Sequence, residues 1–328
     1  MATETSAGAP PFVSHRGRGT ALIVAASFCF GSSGVLGKPA MLAGLSPEQV
    51  AAVRIGLSAL VLLTGVLLFR PGLLRVRKGE WPLLLGFGLL GVAGVQLCYF
   101  ISASRLPVGI AILLEFTSPV LIALWVRFGR RTKLPGLMWC GIVLAMLGLA
   151  MVAQVWAGLR LDALGLLAGL GAAVCSAAYF LLGERGVATR DPIGMVTWGM
   201  LIGAVAVCAV APPWTLPSGV LSAPAEFGRW QPPVWALLVA VALVSTVLAY
   251  LIGILALRHL PAAVASVLGL LEPLVATGAA WLLIGEALTW PQLVGAAVLL
   301  GGALIVQLNS PGKQQLGEPL PPAPLSRS

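Results

Sequence analysis

The chain has 328 residues, of which 59% are hydrophobic and only 9% charged, with a net charge of +9. Soluble domains carry about 25% charged residues, so the composition excludes an ordinary soluble globular domain and implies a polytopic, all-α integral membrane protein. Two histidines, His15 and His259, and the single Asn309 leave little material for a metal site or a polar catalytic centre.

In chain order, residues 1–19 read as a disordered cytoplasmic tail. The apolar run after them ends at Lys38-Pro39 rather than in a small-residue cleavage pattern, so the segment does not read as a signal peptide. Ten apolar runs of membrane-spanning length follow, at about 20–37, 49–69, 82–104, 107–126, 135–155, 163–183, 193–212, 234–257, 261–284 and 289–308. Residues 309–328 are polar and Pro-rich and read as a second disordered cytoplasmic tail.

The first span contains GSSGVLGKP (31–39), close to a phosphate-binding loop. Pro39 replaces the Ser/Thr and the segment lies inside a membrane span, so ATP hydrolysis is not expected. The second span carries Arg54, the third Tyr99, the fourth Glu115, the sixth Tyr179, the eighth Tyr250 and the ninth Glu272. Gly165 with Gly169, and Gly199 with Gly203, have the spacing of close helix packing. Cys29, Cys98, Cys140, Cys175 and Cys208 all lie in apolar runs and read as buried small hydrophobes. Glu184 and Glu286 are expected as solvated anchors at helix ends, and Trp81, Trp214, Trp235 and Trp290 as interface anchors.

With the N-terminus cytoplasmic, fifteen Lys and Arg fall on the cytoplasmic side and four on the other, with Arg54 inside a span. This bias sets the orientation and puts both termini in the cytoplasm. It also accounts for the positive charge without nucleic acid, because the cations are spread over short loops.

Two segments repeat. LPVGIAILLEFTSP (106–119) returns as LPAAVASVLGLLEP (260–273), carrying Pro107 and Pro119 onto Pro261 and Pro273 at a shift of 154. The same shift carries Gly141 onto Gly295 and Gly148 onto Gly302. Earlier in each half the shift is about 146, matching CFGSSGVLGK (29–38) with CSAAYFLLGE (175–184). The halves are therefore 20–155 (spans one to five) and 163–308 (spans six to ten). Five spans per half is an odd number, so the second half enters the membrane upside down. The fold expected is ten transmembrane helices as two inverted five-helix repeats, an arrangement that supplies two exchangeable states.

Pro119 and Pro273 have no N–H for the carbonyls of Glu115 and Gly269, four residues back, and read as helix breaks near mid-membrane. Glu115 lies about 12 Å, and Arg54 about 9 Å, from the outer ends of their helices. Their similar depth and opposite sign allow them to pair. Glu272 lies about 16 Å from the cytoplasmic end of its own. Charges at such depth cost at least ~2.5–3.5 kcal/mol each and are rarely accidental. Glu115, Arg54, Glu272, Tyr99 and Tyr250 are therefore the candidate substrate or coupling residues. A structural ion pair, kink capping and plain packing are the competing readings.

The layout and the stretch 255–306, with LEP then GEALT around Glu272, Pro273, Gly285 and Glu286, resemble the EamA family of the drug/metabolite transporter superfamily. Pro107, Gly109, Ile110, Ala111, Leu114, Glu115, Phe116 and Pro119 resemble the branch of threonine/homoserine exporters. The resemblance implies a secondary-active exporter of amino acids or related small metabolites in the cytoplasmic membrane, driven by an ion gradient, with protons the expected coupling ion. It implies no cofactor. The expected partners are a small-molecule substrate and the lipid bilayer, and a homodimer stays open. An importer or permease of the same superfamily with another substrate is the runner-up. A membrane enzyme acting on lipid intermediates and a non-transporting scaffold rank below it. The second half has Gly269 where the first has Glu115, so any carboxylate chemistry is asymmetric.

Overall fold

The computed structural model describes residues 15–156, 162–228, 230–284 and 288–309. Ten membrane helices cross it. They are α1 (Arg16–Leu42), α2 (Pro47–Phe69), α3 (Lys78–Ala103), α4 (Val108–Gly129), α5 (Gly136–Val152), α6 (Ala163–Thr189), α7 (Pro192–Val210), α8 (Val234–Ala256), α9 (Ala262–Gly269 continued by Leu271–Ile284) and α10 (Trp290–Asn309). Nine are long and apolar enough to span a bilayer, and α5 has 17 residues. Helix α1 starts at Arg16, inside the segment expected as a tail.

The starts of these helices follow from local chemistry. Ser46 and Gln49 form a reciprocal capping box at α2, with Pro47 in its first turn. Asp162 accepts from the Gly165 N–H at 2.7 Å to cap α6, and Asp191 from the Ile193 N–H at 2.9 Å to cap α7. Pro107 and Pro261 stand immediately before α4 and α9, in nearly the same extended conformation. Both proline-containing helices are interrupted a few residues before Pro119 and Pro273. The first piece of α4 ends at Glu115 and resumes at Ser118, and the first piece of α9 ends at Gly269 and resumes at Leu271.

The two halves pack as an inverted pair. Helices α2 and α7 pack together, as do α5 and α10, and each of these pairs joins equivalents. The pairings α3 with α6 and α8 with α1 map onto each other, as do α4 with α6 and α9 with α1. Helices α3 and α8 also match in detail, since each carries a π-helical stretch, at Phe87–Gly94 and Leu243–Leu248. These wider turns release carbonyls from the regular ladder. Gly88, Gly199 and Gly203 allow α3 and α7 to meet, with Phe87, Val92 and Ile202 pressed against the missing side chains.

Some expectations for single residues are corrected. Cys175 is buried, but Cys140 faces outward on the surface of α5. Trp214, Trp235 and Trp290 are exposed near helix ends, whereas Trp81 also packs edge-on against Trp198 at 5.2 Å. Glu184 is not a solvated anchor. It is 9% exposed, because α6 runs on to Thr189 and leaves position 184 within the bundle. Gly285 and Glu286 lie outside the described residues.

Candidate functional site

A cavity of about 320 Å³ lies between the halves. Its walls come from α1, α2, α3, α4, α6, α8 and α9. Helices α5, α7 and α10 stand behind them. Along α1 the lining runs from Ile23 to Met41, about 27 Å at the rise of an α-helix. Met41 is next to the last residue of α1, and Val50 is in the first turn of α2, so the cavity reaches the membrane face opposite the termini. Toward the termini it stops against an apolar seal. Leu257, Leu260 and the whole run Ala262–Leu268 are buried, and Leu260 and His259 press on Gly19 of α1.

All five candidate residues line this one cavity. Glu115 is the last residue of the first piece of α4, and Glu272 sits in the first turn of the second piece of α9. The breaks thus deliver one carboxylate from each half. Pro273 is in the wall, while Pro119 is buried outside the lining. Arg54 projects from α2 and is 9% exposed.

The pairing of Arg54 with Glu115 that their depth allows is not made. Arg54 Nη1 instead donates to Ser33 Oγ of α1 at 2.7 Å. Its Nε is buried without a hydrogen-bond partner. Among the described residues no ion pair joins Arg54 to Glu115 or Glu272. Depth along separate helices does not fix which way each side chain turns.

Tyr99 and Tyr250, at related places in α3 and α8, play different parts. Tyr99 is half-buried in the wall. Tyr250 is 5% exposed and sits edge-on to Phe30 at 5.2 Å and to Tyr179 at 5.4 Å. Its hydroxyl donates to the Gly91 carbonyl at 3.4 Å, within the π-helical stretch of α3. Tyr179 stacks on Phe87 at 5.7 Å, making an aromatic floor between the halves.

The structure adds residues that the sequence reading passed over. Ser33 holds Arg54, Gln96 joins the lining one turn from Tyr99, and Ser176 Oγ donates to Ser118 Oγ at 3.0 Å across α6 and α4. Ser32 and Ser245 hydroxyls bond at 2.8 Å, tying α1 to the π-helical stretch of α8. Ser58 Oγ bridges the Arg54 and Ala242 carbonyls at 2.6 and 3.0 Å. The available signal was the cluster of serines in otherwise apolar spans, and serine alone is too common in helices to single these out.

Chemically, the cavity offers a guanidinium donor, two carboxylate acceptors, an amide and several hydroxyls on an apolar, aromatic ground. Small-molecule sites have this composition, with a few convergent polar groups in a mostly apolar wall.

A model of the EamA-like transporter family matches residues 17–154 and again 163–308. The chain is 32% identical over 256 residues to the threonine/homoserine exporter RhtA of Escherichia coli (strain K12), covering 78% of this chain and 80% of that one. The same exporter of Salmonella typhimurium (strain LT2) is 31% identical over the same length. The uncharacterized transporter YwfM of Bacillus subtilis (strain 168) is 24% identical over 300 residues, or 90% of this chain and 95% of that one. A crystal structure 19% identical, covering 93% of this chain and 100% of its own, superposes with a TM-score of 0.74 and shares the fold. With both halves matched and the ten helices arranged as an inverted pair, the chain belongs to the EamA-like transporter family, and it is a multi-pass membrane transporter rather than an enzyme.

Proposed function

We propose that this transporter exports an amino acid of the threonine/homoserine kind, or a related small zwitterion, by alternating access coupled to protons. One observation carries the reading. Arg54, Glu115 and Glu272 converge on a single cavity from α2, α4 and α9 with no ion pair between the cation and either carboxylate.

Unpaired charges at membrane depth are costly. A zwitterion relieves the cost at both ends, its carboxylate on the Arg54 fork and its ammonium on a glutamate. That accounts for one carboxylate. The second is left over, and a proton is the smallest species that neutralises it. The helix macrodipoles make the two inequivalent, since Glu115 ends a helical piece and Glu272 begins one. Glu115 is assigned the proton exchange or amine recognition, and Arg54 the carboxylate.

The threonine/homoserine exporters among the relatives support the substrate class. The excess of Lys and Arg on the termini side supports cytoplasmic termini in the cytoplasmic membrane. The cavity then opens away from the cytoplasm, as in the release step of an exporter.

Counterflow in proteoliposomes tests the reading. Vesicles loaded with unlabelled threonine or homoserine should accumulate the labelled amino acid, unchanged chemically, only when they hold the protein. No exchange of either, with exchange of another solute from a metabolite panel, would transfer the site to that solute.

A further inference from the structure

We propose that Glu184 is a one-sided gate latch that holds the termini face of the transporter closed. The charge belongs to none of the groups in the cavity. Its Oε1 accepts from the Ala262 N–H at 3.0 Å, at the first residue of α9. Its Oε2 lies 2.6 Å from Arg130 Nη2, just beyond the end of α4. One buried carboxylate on α6 therefore ties together the two broken helices that carry Glu115 and Glu272. It does so on the face where the cavity is sealed.

The two halves approach each other at this point, since Arg130 comes from the first repeat and Glu184 with Ala262 from the second. Opening this face separates α4 from α9 and has to break at least one of the two contacts. The Ala262 N–H makes a charge-assisted hydrogen bond to the carboxylate, the strong kind, and Arg130 adds an ion pair at its other oxygen. The latch therefore raises the cost of opening one face.

The repeat does not reproduce these residue types at the other face. The shift of 146 places Lys38 at the position of Glu184, and the shift of 154 places Val108 at that of Ala262 and Ile284 at that of Arg130. A lysine ammonium has donors and no acceptor, so it cannot cap the Val108 N–H. The scaffold is symmetric and the latch is not. In the structure the termini face, where the latch is made, is closed, and the cavity opens at the other face.

The inference rests on alternating access, and its test needs no substrate. Ala263, 2% exposed, lies one residue beyond the latch inside the seal. Ala263→Cys is placed in the full chain with the five native cysteines replaced. Its labelling by a membrane-impermeant maleimide is followed from each face. Glu184→Ala is expected to speed labelling from the termini face roughly tenfold, the factor for losing one bond to a charged group. Glu184→Gln, which keeps an acceptor for Ala262, is expected to give a smaller rise. Unchanged labelling in a folded Glu184→Ala protein overturns the latch. So does an equal rise from both faces. If Glu184→Ala does not fold, Glu184→Gln alone decides, with a rise on the termini face supporting the latch and the parent rate overturning it. Failure of threonine counterflow with the labelling rise intact would sink the substrate and leave the latch.

Discussion

Gly148 and Gly295 stand backbone against backbone where α5 crosses α10. A Cβ built on Gly148 would lie 2.7 Å from the Gly295 carbonyl oxygen, and one on Gly295 would lie 2.8 Å from that of Gly148. Gly141 and Gly302 repeat the arrangement, at 2.9 and 2.6 Å. In sequence, Gly141 is the equivalent of Gly295 and Gly148 of Gly302. The contacts thus cross, each glycine meeting the partner of the other pair. A two-fold axis between inverted halves requires this crossing, and tandem repeats in parallel would not give it.

Two pairs of contacts give a sharp stability prediction. Gly148→Ala and Gly295→Ala each press a methyl on backbone, costing about 1–3 kcal/mol. Because they crowd one contact, the double variant should lose clearly less than the sum. Gly148→Ala with Gly302→Ala crowds two contacts about 10 Å apart and should be additive within about 0.5 kcal/mol. Thermal unfolding in detergent measures both cycles.

Ser33 is expected to act through Arg54. Ser33→Ala leaves Nη1 without the 2.7 Å bond that aims the guanidinium. The KM of exchange should rise about tenfold, the factor for one hydrogen bond to a charged group, with maximal rate less affected. Arg54→Lys should do more harm, because a lysine supplies a point charge in place of a planar fork. Concentration series of counterflow separate the two effects.

Tyr250 tests whether the aromatic floor is held by rings or by hydroxyls. Its hydrogen bond to Gly91 is long, at 3.4 Å, while its ring meets both Phe30 and Tyr179. Tyr250→Phe should therefore cost under about 1 kcal/mol. Tyr250→Ala should cost about 3–5 kcal/mol through the space it leaves. Equal losses in thermal unfolding would show that the hydroxyl matters more than the packing.

Much of this fold is written in simple patterns. Apolar runs locate the ten helices, and the faithful recurrence of Pro107 and Pro119 as Pro261 and Pro273 predicts both broken helices. The expense of charge in a bilayer draws attention to Arg54, Glu115 and Glu272, and the three do meet in one cavity. What stayed hidden depends on azimuth and on partners far along the chain. Arg54 and Glu115 lie at similar depth, yet the rotation of α2 turns the guanidinium to Ser33. Glu184 looks like a helix-end residue until α6 is seen to run five residues further. The π-helical stretches of α3 and α8 have no proline to announce them, since they arise from the way each helix packs on its neighbours.

The carboxylate at the break of α4 is tested for membership of the transport site by a single substitution. Glu115→Gln keeps the shape and removes the charge, so it isolates the chemistry. At equal amounts of reconstituted protein, counterflow of labelled threonine or homoserine should fall at least about tenfold, as loss of one charged hydrogen bond implies. A Glu115→Gln protein that exchanges the labelled amino acid at the parent rate, and responds to a proton gradient as the parent does, would contradict that membership.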